Sequence, residues 1–136
     1  MSVSVTRLPE EPIIVVRVTE QLNLLSIRTL VRESADLCAG MSSTVYRVID
    51  VFDADASINE LARALVEAKG RTRGSVLDSQ IVSVLVARPN RMRFIADLLA
   101  RKEFGGLDMP VYDSLDEALA SLRADIAAGQ GAVAKA

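Results

Sequence analysis

Residues 13–18 read IIVVRV, five β-branched residues in six positions. Such side chains are stiff about χ1 and pack well on a pleated surface, so the run favours a strand. It is nearly continuous and does not alternate, which demands apolar cover on both faces of the sheet. TVYRVIDVF at 44–52 and IVSVLV at 81–86 have the same character. A chain holding three such strands must supply layers above and below them.

The intervening segments supply those layers. From Thr19 the period changes. Leu24, Ile27, Leu30, Val31, Ala35 and Cys38 form one helical stripe, with Gly40 in the C′ position. A second helix is expected from Ser57 to Gly70, turning Ile58, Leu61, Ala62 and Leu65 inward, and residues 69–80 read as a long polar loop. A third helix follows Pro89 and Asn90, with Met92, Ile95, Leu98 and Leu99 in its stripe and Gly105 and Gly106 at its end. MPVY at 109–112 is a short strand placed at an edge by Pro110. The last helix carries a capping box, Ser114 with Glu117, and buries Leu115, Ala118, Leu119, Leu122 and Ile126.

At the other end, SVSVTR at 2–7 alternates as a half-exposed strand does. LPEEP then makes a turn short enough to pair it with residues 13–18 as a hairpin. The element order is ββαβαβαβα. The fold class is α/β, with a mixed five-stranded sheet in which a leading antiparallel hairpin is followed by parallel strands. One domain spans 1–127, and 128–136 form a flexible tail.

Composition narrows function mainly by exclusion. The chain has 136 residues, half of them apolar, which is enough for a substantial core. A net charge of −2 with mixed signs disfavours nucleic acid, and no apolar run approaches the roughly 20 residues of a membrane span. The first residues do not read as a secretory signal, so a cytoplasmic protein is expected. There is no histidine and one cysteine, which excludes Ser-His triads, Cys-His dyads, intrachain disulfides and His-based zinc sites. Cys38 falls on an apolar helix face and reads as a structural thiol; Tyr46 and Tyr112 read as packing residues. No cofactor is expected.

The chemistry-bearing residues gather where a strand ends and a helix begins. VFDADASINE at 51–60 contains Asp53, Asp55, Ser57 and Asn59. Ser57 and Glu60 have capping-box spacing, and the two aspartates precede the positive end of a helix, where carboxylates are favoured. The same pattern of an apolar strand followed by Asp-x-Asp-x-Ser resembles the nucleophile motif of haloacid-dehalogenase-type phosphatases, which implies magnesium chemistry on Asp53 and Asp55. That family also needs a later lysine and acidic pair, which this chain does not present in recognisable context. Arginines form the second cluster. Arg88, Arg91 and Arg93 surround the start of the third expected helix, and Lys69, Arg71 and Arg73 lie in the long loop. Arg88 and Arg91 follow the carboxyl end of a strand parallel to the one before Asp53, so both groups should share one rim of the sheet.

The element order, together with MPVYDSLDEALASL at 109–122, resembles the STAS superfamily and within it the SpoIIAA-like branch of anti-sigma-factor antagonists. The resemblance implies a non-enzymatic regulatory module that binds a protein partner, with a homodimer as a further option. It also implies a phosphorylated serine at the start of the helix after the central strand. The position that matches is Ser57, although the family's Asp-Ser-Ser/Thr-Gly run is replaced by Asp53-Ala-Asp-Ala-Ser57. The binding residues expected on this reading are Asp53, Asp55, Ser57, Asn59, Arg88 and Arg91. A small-molecule or anion site using the rim arginines is the alternative, and a magnesium-dependent phosphoryl-transfer enzyme is the third.

Overall fold

A computed structural model describes residues 3–55, 80–88 and 109–133. The elements are β1 (Val3–Arg7), β2 (Ile13–Val18), α1 (Leu24–Cys38), β3 (Val45–Asp50), β4 (Ile81–Val86), β5 (Val111–Tyr112) and α2 (Leu115–Val133). The helices expected at 57–70 and 90–105, and the loop after the first of them, lie outside the described residues.

The five strands form one sheet in sequential order, β1-β2-β3-β4-β5. β1 pairs antiparallel with β2, and every later neighbour is parallel. The mixed α/β architecture expected from the sequence is therefore the one formed. All six residues of β3 are buried, as its position between two parallel neighbours requires. Alternation along the strands divides the core between two faces. Ile14, Val16, Val45, Ile49 and Leu85 meet Leu30 and Cys38 of α1, while Ile13, Tyr46, Val48, Val84 and Val86 meet Ala118 and Leu122 of α2. The apolar continuity of these strands reflects that two-sided cover.

The hairpin turn follows its prolines. Pro9 occupies the second position of a turn closed by Glu11 N donating to the Leu8 carbonyl at 3.4 Å, and Glu10 in the third position has φ 62°. That combination suits a type II turn, in which proline presets one residue and the next must take positive φ. The turn is then tied to the far end of the chain. Arg123 on α2 donates from Nε and a terminal nitrogen to the two carboxylate oxygens of Glu11, at 2.9 and 3.1 Å.

The first helix begins at Leu24, the first residue of its stripe, because the segment between Thr19 and Leu22 is tied to Asp55. Leu22 N donates to the Asp55 carbonyl and Asp55 N to the Glu20 carbonyl, both at 2.7 Å. Asn23 then opens α1 with a reciprocal box. Its side chain accepts from Ser26 N at 3.0 Å, and Ser26 Oγ accepts from Asn23 N at 2.7 Å. Gly40 does follow this helix, but the C-cap is Ala39 in ordinary right-handed backbone and no left-handed glycine is used. The last helix runs to Val133, beyond the Ile126 that ends its apolar stripe and into the segment expected as a tail.

Among the described residues, Arg47 is the charge with no exposed surface. In the middle of β3, it donates from Nε to Ser83 Oγ on β4 at 3.1 Å. Arginine stays protonated when buried, so each partner it keeps there offsets lost hydration. Ser83→Ala removes one of those partners. It is expected to cost about 1.5–3 kcal/mol, read as a lower urea midpoint at unchanged m-value.

The Glu11–Arg123 pair gives a pH signature. The hydrogen bond from Arg123, aided by its charge and partly opposed by burial, holds the Glu11 carboxyl below its ordinary value. A depressed carboxyl contributes stability above its unfolded pKa and loses it as pH falls through the lower folded pKa. Glu11→Gln should therefore flatten the acid limb of the stability curve and leave the region above pH ~6 parallel to wild type, as urea midpoints across a pH series will show. The effect is small because the pair is solvent-exposed.

Candidate functional site

The carboxyl ends of β2, β3, β4 and β5 lie side by side, because all four run in one direction. They enclose a cleft of about 300 Å³ lined by Arg17, Asp50, Phe52, Asp53, Val86, Asp113, Ser114 and Leu115. In open α/β sheets this is the edge where ligands bind, since backbone and loops there are free to diverge from the strand ladder.

Asp50 forms its floor. It is the last residue of β3, sits opposite Arg17 in the ladder, and retains only 7% of its surface exposed. Its Oδ1 accepts from Phe52 N at 3.0 Å, an Asx-type bond that turns the chain out of the sheet two residues on. Ala54 N donating to the Val51 carbonyl at 3.0 Å completes the turn. This ends β3 at Asp50, two residues before the apolar run in the sequence does.

The turn delivers Asp53 to the rim between two guanidinium groups. Arg17 approaches its carboxylate at 3.6 Å and Arg88 at 3.8 Å. Arg88 is further held by donating from Nε to the Phe52 carbonyl at 2.9 Å, and its guanidinium lies 4.9 Å from the centre of the Phe52 ring. Across the cleft, α2 begins with Ser114, whose Oγ accepts from Glu117 N at 3.2 Å, so the capping bond expected there forms. Asp113, Asp116 and Glu117 add carboxylates around that helix end. Tyr112, the residue before them, fixes β5 to α2 through a 2.6 Å hydrogen bond with Ser121.

Of the residues the sequence singled out, Asp53 and Arg88 are brought together on the expected rim. Asp55 is exposed and stands beside them, but its backbone is committed to the bridge with Gln21. Ser57, Asn59 and Arg91, with Arg93 and the basic residues of the long loop, lie outside the described residues. Three residues of the cleft were missed. Arg17 lies inside IIVVRV and Asp50 inside TVYRVIDVF, where a charge in an otherwise β-branched run marks a side chain that must leave the core or find a partner. Asp113 carried only the signal of a helix start.

No protein-family model matches the chain, and no curated protein does. Among solved structures, it is similar to an uncharacterised protein of the DUF3478 family from Shewanella loihica PV-4, described as having a SpoIIAA-like fold. The TM-score is 0.58 at 10% identity, covering 88% of this chain and 91% of that one. At that identity the likeness establishes the fold: the chain has a SpoIIAA-like α/β fold, in agreement with the resemblance drawn from its sequence.

The two aspartates of this edge differ in what they do for the fold, and substitution separates them. Asp53→Ala, which breaks two half-exposed ion pairs, should change stability by less than about 1 kcal/mol. Asp50→Ala leaves Phe52 N without its acceptor and should cost about 1–3 kcal/mol in the same urea titration.

Proposed function

We propose that this chain is a non-enzymatic, cytoplasmic interaction module of STAS-like type that recognises a protein partner through the carboxyl edge of its sheet. The observation that carries the reading is the exposed chain of charges Arg17–Asp53–Arg88 at the mouth of the cleft. Half-exposed pairs at 3.6–3.8 Å add little to folding stability, so the fold does not depend on them. Alternating charges on a rim are well suited to steering and orienting a charged partner surface. Ser57, two residues past the described part of this edge, is the candidate for regulation by phosphorylation.

The alternative in which the rim arginines hold an anion has less support. Both Arg17 and Arg88 already face Asp53, and an incoming anion would have to displace or outweigh that carboxylate. The magnesium reading meets the converse difficulty, since a metal on Asp53 would sit beside two guanidinium groups.

The test is chemical crosslinking in the native host's cytosol with wild type, Asp53→Ala and Arg88→Ala in parallel. The proposal expects one dominant heteromeric adduct with wild type that falls at least several-fold in both variants, whose melting curves stay close to wild type. Equal adduct yield in all three contradicts it. A magnesium titration that produces saturable binding lost in Asp55→Asn would favour the phosphoryl-transfer reading instead.

A further inference from the structure

The geometry points to the cleft as the receptor for a single basic side chain, a lysine or arginine presented by the protein partner. This deepens the proposed function and rests on it. The first observation is Asp50. Only 7% of its surface is exposed, and one carboxylate oxygen is used by Phe52 N. Among the described residues the second oxygen has no partner, and it is not sealed from solvent, so it opens toward the cleft that Asp50 lines. Arg17, its ladder neighbour, turns to Asp53. A solvent-accessible oxygen on an otherwise buried carboxylate can exchange its water for a donor, and a charged donor gives the strongest bond.

The second observation is the balance of charge. The lining contains three carboxylates, Asp50, Asp53 and Asp113, against the guanidinium of Arg17, with that of Arg88 beside Asp53 at the rim, so Asp53 is matched and Asp50 is the carboxylate without a cation. The amino end of α2 adds a positive partial charge of about half a unit. That end is already faced by Asp113, Asp116 and Glu117 and capped by Ser114. An anion placed here would meet Asp50 at close range, whereas a cation meets an open acceptor.

Shape supplies the third. Phe52, Val86 and Leu115 give the cleft apolar walls, and its volume of about 300 Å³ falls at the small end of ligand sites. Lysine and arginine join an apolar stem to a cationic head, so the stem would lie along these walls while the head reaches Asp50. The exposed Arg17–Asp53–Arg88 rim would then meet the surface from which that side chain projects.

The test is an amide NMR titration of the intact protein with N-acetyl-arginine amide and N-acetyl-lysine amide. N-acetyl-citrulline amide serves as the uncharged control and agmatine as a free amine. Saturable shifts at Phe52, Asp53, Asp113 and Ser114 with one of the charged probes, at about millimolar affinity, are expected. Citrulline should bind at least about tenfold more weakly, and Asp50→Asn, which keeps an acceptor for Phe52 N, should weaken the charged probe by a similar factor. Shifts that do not saturate, equal binding of citrulline, or unchanged affinity in Asp50→Asn overturn the assignment. Tighter binding of agmatine than of both amide-blocked residues also overturns it, in favour of a free amine. Loss of crosslinking in Asp53→Ala alongside a failed titration would leave the interaction edge standing and remove only its basic-side-chain occupant.

Discussion

The described residues are arranged around β3, a strand buried along its whole length and flanked on both sides by parallel neighbours. Parallel pairing sends β2, β3 and β4 out of the sheet at one edge, and β5 joins them there. Cover by α1 on one face and α2 on the other removes water from the strand, so any polar group on it must be served from within. The core Arg47 and the edge Asp50 are the two places where that requirement becomes visible. Arg47 meets it by donating to the neighbouring strand at Ser83. Asp50 meets it by half, with one oxygen closing the turn that ends the strand and the other facing the cleft.

That division of labour links fold to function. The bond from Phe52 N to Asp50 aims the following residues outward, which sets Asp53 between Arg17 and Arg88 and places the Phe52 ring beneath Arg88. A single turn thus shapes the cleft floor, one apolar wall and the charged rim. The rim is held loosely, by pairs whose partners are about half exposed, whereas the floor is nearly closed off. Loosely held charges can exchange their partners for those of another surface at little cost to the fold, and a rigid acceptor beneath them gives such a contact a fixed register.

The strands were legible because two-sided burial leaves a continuous β-branched signature; residues 13–18 and 81–86 match their strands end to end. The approach of Asp53 to Arg88 was legible too, from parallel direction alone. The stripe of α1 was legible from Leu24 onward, but the segment before it was not, because Glu20 and Leu22 bond to Asp55, a contact remote in sequence. Arg17, Arg47 and Asp50 were obscured by the same runs that revealed the strands, since apolar periodicity averages over a lone charge. Their meaning depends on which strand neighbours which, and the hydropathy pattern does not carry strand order.

The proposed recognition surface is the carboxyl edge of the sheet. Site-specific photo-crosslinking in living host cells tests it most directly. A photoreactive residue at Asp113, on the cleft, is compared with one at Val82, an exposed apolar residue toward the amino end of β4. A discrete heteromeric adduct is expected from position 113 and none from position 82. An adduct from position 82 alone, or equal adducts from both, would contradict it.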